Sequence, residues 1–297
     1  MPENPLPRHI HRLMKVNSVD EMWYKLLTEG DPMTKRDRRI NALIPSNPRC
    51  VYCYTPFGGF GGALARIGLY FSRPSSKNPR FCTACDLFNT KYPGGAEVEL
   101  TMLFVDVRGS TTIAEKMNAV EFGHLMNRFY ETTINVLVQA DAFIDKLVGD
   151  EVTAHFFPGY SGKEHARKAV ETGQALLRVT GHGEPGGPWV PVGVGVHTGT
   201  AWVGSIVGAS GAGSDFTALG DNVNIAARLA SKAGVGEVLI SEATSRAAQI
   251  NTEGLEKREL ELKGKSETVA VIVLHAEAVS DQQSAISTQR SAISDKP

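Results

Sequence analysis

The chain has 297 residues, 42% of them apolar and 21% charged, with a formal net charge of −1. That length suits one ordinary catalytic domain plus a smaller module. The balanced charge excludes a global basic field of the kind that draws nucleic acid or anionic membrane, so neither is expected as a partner. No apolar run is long enough for a membrane span, and the opening MPENPLPRHIHRLMKV lacks the apolar core of an export signal, which predicts a cytoplasmic protein.

In chain order, residues 1–45 carry helically spaced apolar residues in VDEMWYKLL and RRINALI, and read as a packing or dimerisation element. Residues 46–95 are rich in Gly, Pro and Cys with little periodicity. So short a segment needs a staple, and a metal supplies one. All four cysteines of the chain fall here, as Cys50-x-x-Cys53 and Cys82-x-x-Cys85 with 28 residues between the pairs. One turn presents two thiolates to one ion, so two such pairs make a tetrahedral Zn²⁺ site. An iron–sulfur cluster is the competing ligand. A redox disulfide fits less well, because neither pair sits in a thioredoxin-like βαβ unit. The second pair is expected to open a short helix, in the manner of a zinc ribbon or treble clef.

From residue 96 the texture becomes that of regular mixed structure. VELTMLFVDV reads as a strand closed by Arg108-Gly109-Ser110-Thr111, and 117–139 as a helix with an apolar stripe at Phe122, Met126, Phe129, Ile134 and Leu137. AFIDKLV and EVTAHFF read as two strands joined by a bend at Gly149-Asp150. Ser161-Gly-Lys-Glu164 fits a capping box opening a helix to about residue 180. WVPVGVGVH and TAWVGSIV read as two further strands, followed by a helix from Asp221 to Lys232, and residues 236–240, 257–262 and 268–275 complete a mixed pattern of strands and helices. The tail from 279 repeats itself, is polar, and reads as disordered.

Candidate chemistry lies at the strand ends. Asp106 closes a buried strand before a glycine turn, and Asp150 follows Gly149 in a hairpin bend. Carboxylates beside glycines, where a ligand can approach the backbone, suit hard cations such as Mg²⁺ or Mn²⁺. Each alone is more often a turn residue. Asn224 and Arg228, four apart, share one face of a helix, where an amide beside a guanidinium can hold a ribose and a phosphate. Lys146 precedes Asp150 by four residues and suits a base, a phosphate or plain solvation, while Lys263 lies in a small basic cluster that could reach phosphates but, taken alone, is more often solvent-facing.

FVDVRGST, DKLVGDEVTAHF, GVGVHTGTAWVGSIVG, FTALGDNVNIAARLAS and ELKGK, in this order over roughly 97–275, resemble the motifs of class III adenylyl and guanylyl cyclases. The resemblance implies an α+β fold: a ferredoxin-like βαββαβ core extended by further strands, behind the small N-terminal helical and cysteine module. The implied domains are 1–45, 46–95, 96–278 and a tail, 279–297. It implies Asp106, Asp150 and the backbone of Val107 as ligands of two Mg²⁺ or Mn²⁺ ions, Lys146 and Thr217 as the adenine-selecting pair, Asn224 on the ribose, Arg228 on transition-state charge, and Lys263 on the triphosphate. It further implies ATP as substrate and a head-to-tail homodimer with sites at the interface. Thr217 stands where many members carry Asp, a departure shared with the bicarbonate-responsive subgroup, which loosens the case for adenine. Another NTP (GTP, CTP or UTP), a diguanylate cyclase suggested by VGDEV, and a catalytically silent dimerisation or sensor module are the rival readings.

Overall fold

The computed structural model describes residues 16–64, 73–207, 214–261 and 268–277. Lys263, the first 15 residues and the tail from 279 lie outside them. The described helices are α1 (Val19–Thr28), α2 (Pro32–Ala42), α3 (Gly59–Leu64), α4 (Thr83–Lys91), α5 (Ser110–Glu115), α6 (Ala119–Gln139), α7 (Pro158–Ser161), α8 (His165–Val179), α9 (Asp221–Lys232) and α10 (Glu242–Ala247). The strands are β1 (Gly94–Val107), β2 (Phe143–Val148), β3 (Glu151–Phe156), β4 (Val192–Val207), β5 (Ser214–Leu219), β6 (Val238–Ser241), β7 (Lys257–Glu261) and β8 (Thr268–Leu274). They form one sheet in the order β2-β3-β1-β4-β6-β8-β7, with β5 pairing the far half of β4. The first four strands, with α6 and α8 as crossovers, are the expected ferredoxin-like βαββαβ core in an α+β fold. No described helix is long and apolar enough to cross a membrane.

β1 carries the run Thr101-Met-Leu-Phe-Val105 because both faces of the sheet are covered there. Leu103 and Val105 face α6 and α8, packing with Phe129, Leu137, Val170 and Leu177. The alternate residues, Val98, Leu100, Met102 and Phe104, face the N-terminal segment, where Trp23, Leu27, Cys50, Tyr52, Phe81 and Cys82 close a second apolar core. The rings there interlock: Trp23 stacks on Phe216 at 5.8 Å, and Tyr52 meets Phe143 edge-on at 5.3 Å. The N-terminal residues thus fill the sheet's second face.

Three local expectations are corrected. Ser161 does not cap a helix: it ends α7, its hydroxyl donates to the Asp141 carbonyl at 3.0 Å, and α8 begins at His165 with no side-chain cap from Glu164. The capping box occurs instead at Asn118 and Glu121, opening α6. The two strands expected around Thr198-Gly199 are one continuous strand of 16 residues. Its glycines mark close helix packing rather than a turn: a Cβ on Gly195 would lie 2.2 Å from the Ala230 nitrogen of α9. β5 has no counterpart in the expected elements, since its register on β4 is supplied by a tertiary partner rather than by its own short sequence.

Candidate active site and metal centre

The β2–β3 hairpin brings Asp150 to the end of β1. Antiparallel pairing sets Asp106 opposite Glu151, and the Val107 N–H donates to the Asp150 carbonyl at 3.1 Å. The two strand ends that carry the aspartates are therefore hydrogen-bonded to each other. Gly109 and Gly149 adopt φ of +68° and +63°, and a Cβ on either would meet nothing within 4 Å. Glycine is needed there for the left-handed turn, and the space beside both acids stays open. The Ser110 hydroxyl donates to Asp150, and the Tyr130 hydroxyl donates to the Gly149 carbonyl, fixing the hairpin tip.

This corner concentrates negative charge. Burial pushes the Asp106 carboxyl above its ordinary range; Arg108 pulls it back, and the Asp150 charge pushes it further up. Glu151 is raised too, by burial first and then by Asp106 and Asp150. Arg108 lies in an ion pair with Asp106 and donates to the Ser231 carbonyl at the end of α9 at 3.1 Å. A cationic side chain thus stands where three acids converge, and the donor set fits hard divalent cations. Glu151 and Arg108 were not among the sequence candidates. Arg108 is two residues beyond Asp106, so period-two alternation could have flagged it; Glu151 enters only through strand register.

The charge on Glu151 opposes folding when no metal is bound, because its folded pKa exceeds its unfolded one. Glu151→Gln is therefore expected to raise the melting temperature of metal-free protein at neutral pH by roughly 1–3 °C, discounted for partial exposure. The gap should shrink on acidification toward the carboxylate range and on adding saturating Mn²⁺. Thermal scans at several pH values check this, and a lower melting temperature in the variant would contradict it.

Lys146 is exposed on β2, just past a bulge that displaces Asp145. Thr217 is buried on β5, and its hydroxyl is directed at the Asp145 carboxylate, 3.4 Å from Oδ2, which also takes His155 Nε2 at 3.1 Å. The two residues of the implied base-selecting pair are thus linked through Asp145. A cavity of about 570 Å³ opens beside Lys146, lined also by Ile144, Asp145, Arg49, Val51 and Arg80. Asn224 is exposed in the first turns of α9 and Arg228 half-buried one turn later. Among the described residues neither side chain has a hydrogen bond or ion pair, to the aspartates or to anything else.

The four thiols converge. All four Sγ atoms lie within 4.8 Å of one another, with Cys53 and Cys82 3.7 Å apart. A tetrahedron with bonds of about 2.3 Å has edges of about 3.8 Å. Thiolates around a multi-iron cluster stand further apart, because iron and sulfide intervene. The Cys82 N–H donates to Cys50 Sγ at 3.3 Å, and Cys82 caps α4, as expected for the second pair. Burial pushes the Cys50 thiol well up, and hydrogen bonding from Cys50 does the same for Cys85. These thiols would ionise with a cation among them, so the cluster could hold a single metal ion.

The model of the adenylate and guanylate cyclase catalytic domain matches residues 95–275. An adenylate cyclase of Anabaena cylindrica is 30% identical over 188 residues, 60% of this chain and 37% of that enzyme. A terminal-differentiation-specific adenylate cyclase of Dictyostelium discoideum is 31% identical over 180 residues, 58% of this chain and 8% of that one. The chain thus spans well under half of these curated relatives. Among solved structures, the adenylyl cyclase CyaB from P. aeruginosa matches with a TM-score of 0.52 and 28% identity, over 62% of this chain and 97% of that one. The guanylyl cyclase Cya2 matches with a TM-score of 0.52 and 26% identity, over 61% and 93%. Adenylyl and guanylyl enzymes match alike, so the likeness does not distinguish the two bases. From residue 95 to residue 275, the chain belongs to the adenylate and guanylate cyclase catalytic-domain family.

Proposed function

We propose that the protein is an adenylyl cyclase that converts ATP to 3′,5′-cyclic AMP and pyrophosphate at the interface of a homodimer. The observation that carries this reading is the joining of Asp106 and Asp150 at hydrogen-bonded strand ends, in an open corner where burial first and neighbouring negative charge second raise the carboxyls of Asp106 and Glu151. Divalent cations held by these carboxylates and the Val107 backbone would lower the pKa of the ribose 3′-hydroxyl and neutralise the departing pyrophosphate. The chain's own residues do the rest. Lys146, whose ammonium makes no hydrogen bond or ion pair among the described residues, donates to adenine N1, and the Thr217–Asp145 pair takes the exocyclic amine. Asn224 orients the ribose so that its 3′-oxygen lies in line with the α-phosphorus. Arg228 meets the charge that grows on the α-phosphate, and Lys263 binds the triphosphate.

Residues 96–278 act in this reading as the catalytic domain, behind the helical segment 1–45 and the cysteine module 46–95. The module's four thiolates hold one structural Zn²⁺, which the compact Sγ set supports over a multi-iron cluster. Purified protein assayed with each of the four NTPs and Mn²⁺ tests the assignment. ATP is expected to give cyclic AMP with a kcat/KM at least about tenfold above that for GTP, CTP or UTP, the discrimination of roughly one charged hydrogen bond. Cyclic GMP as the main product would overturn the choice of base, cyclic di-GMP would assign the related dinucleotide chemistry, and no product at all would favour a silent dimerisation module. Zinc content and a colourless spectrum after anaerobic purification check the thiolate site.

A further inference from the structure

One side chain ties the four-cysteine site to the base-selecting strands. Arg80 lies two residues before Cys82, and its carbonyl accepts the N–H of Val51, which lies between Cys50 and Cys53, at 3.1 Å. Both Cys-x-x-Cys segments therefore fix its backbone. Its guanidinium leaves the module: Nη1 lies 3.0 Å from Asp215 Oδ1 on β5, and Nη2 lies 3.9 Å from Asp145 Oδ1 on β2. Asp145 immediately precedes Lys146, and Asp215 stands two residues before Thr217. One fork-shaped cation therefore bridges the two strands that carry the implied base-selecting pair, a geometry that a point-charge ammonium reproduces poorly.

Asp145 makes this bridge consequential. It is buried, and its Oδ2 is engaged by His155 and Thr217. Its Oδ1 is buried without a hydrogen bond among the described residues and lies 3.9 Å from Arg80 Nη2, whose charge, with that of Lys146, balances it there. A buried carboxylate with half its acceptor capacity unmet moves if the cation that balances it moves. Arg80 and Lys146 also line the same cavity.

We infer that Arg80 is a positioning residue for the nucleobase pocket, and that through it the occupancy of the four-cysteine site sets the affinity for the nucleotide. Thiolates drawn onto one ion hold Val51 and Arg80 in place, and Arg80 holds Asp145, Thr217 and hence Lys146. With the ion removed, the two loops are freed of each other and the bridge relaxes. Coupling of this kind is reciprocal: the factor by which the ion tightens the nucleotide is the factor by which the nucleotide tightens the ion. The inference rests on the cyclase reading, and its test separates the two.

Binding of a fluorescent ATP analogue is titrated on full-length protein, zinc-loaded and chelator-stripped, for wild type, Arg80→Gln, Arg80→Lys and Asp215→Asn, alongside KM and kcat. Wild type is expected to lose roughly five- to tenfold in affinity on stripping, with kcat changed less than twofold. Arg80→Gln should show that loss while still loaded, with little further loss on stripping, and Arg80→Lys should recover part of it. The reverse measurement, competition for zinc with a chromogenic chelator, should show ATP slowing and weakening zinc loss by the same factor in wild type and by none in Arg80→Gln. Equal coupling in Arg80→Gln and wild type, or losses that multiply, would overturn the inference. If stripping unfolds the protein by circular dichroism, loaded Asp215→Asn still decides: an unchanged nucleotide affinity in that variant and in Arg80→Gln counts against it. Cyclic product formed without coupling removes this inference alone, whereas absence of cyclic product from any NTP removes the cyclase reading.

Discussion

Asp106→Ala and Arg228→Ala are each expected to lower cyclic AMP formation by about 10³-fold or more, while the two variants co-expressed in equal amounts regain about a quarter of wild-type activity. The single losses follow from their assigned roles. In the proposed roles, Asp106 would be one of the two acids holding divalent cations, and Arg228 would meet charge that exists only in the transition state, where one preorganised donor is worth about 10²–10³ in rate. The recovery follows from where these residues lie. Among the described residues no hydrogen bond or ion pair joins Arg228 or Asn224 to Asp106 or Asp150 within one chain. Each chain carries both half-sets, so a two-fold dimer has two composite sites, each with the acids of one protomer and α9 of its partner. Half of the dimers in a random mixture pair one variant with the other. In each of those, one site combines both substitutions and the other is intact. Steady-state assays of the separately purified and co-expressed proteins check this, with melting temperatures as the control for folding. Two inactive variants that stay inactive together would place each whole site within one chain and remove the dimer from the mechanism.

The corner that joins Asp106 to Asp150 is legible in the sequence because its signals are local. A long apolar strand ending in Asp106, a Gly149-Asp150 bend between two strands, and Asn224 and Arg228 on one helical face can each be read within a window of ten residues. The four cysteines were legible for the same reason, as spacing alone fixes two thiolates per turn. What escaped was tertiary. β5 is a strand because β4 offers it an edge. β4 runs unbroken through Gly199 because α9 needs its glycines for close approach, and no window distinguishes that from a turn. Ser161 satisfied the capping pattern, yet its hydroxyl is taken by Asp141, 20 residues back in the chain. Most of all, the alternation in β1 gave no sign of which partner covers its second face. That partner is the N-terminal segment, whose own stretch of Gly, Pro and Cys has too little periodicity to point anywhere. The residues that join module to sheet, Arg38 and Arg80, are arginines in polar contexts that a sequence reading assigns to solvent.

Arg38→Ala is expected to destabilise the fold by about 3–5 kcal/mol, the range for breaking a buried charged network. The side chain is 1% exposed on α2. Its Nη1 donates to the Tyr52 carbonyl at 2.6 Å, and its Nη2 donates to the Tyr54 hydroxyl and to the carbonyls of Asp141 and Ala142 at 3.0 and 3.2 Å. The guanidinium lies 3.8 Å over the Tyr54 ring and 4.0 Å over Phe143, so it is paired by π faces as well as by oxygens. One cation thus binds three segments: α2, the first cysteine loop, and the turn into β2. Alanine leaves the Tyr52 carbonyl without a donor, at a cost of about 1–3 kcal/mol, while the carbonyls of Asp141 and Ala142 keep the Ser161 and Tyr54 hydroxyls; the rest of the loss comes from the emptied space under the Tyr54 and Phe143 rings. Lysine should recover little, because a single ammonium cannot span these acceptors in a plane. Urea unfolding of zinc-loaded protein reads the effect as a lowered midpoint with an unchanged slope. A loss below about 1 kcal/mol would mean that the three segments are held by their apolar contacts alone. Because Ala142 is followed directly by β2, the same substitution should also loosen Asp145 and Lys146, so that among folded molecules the affinity for the nucleotide falls together with stability. Arg80 differs in this respect: it bridges strands already built, so its loss should change binding with little change in the unfolding midpoint.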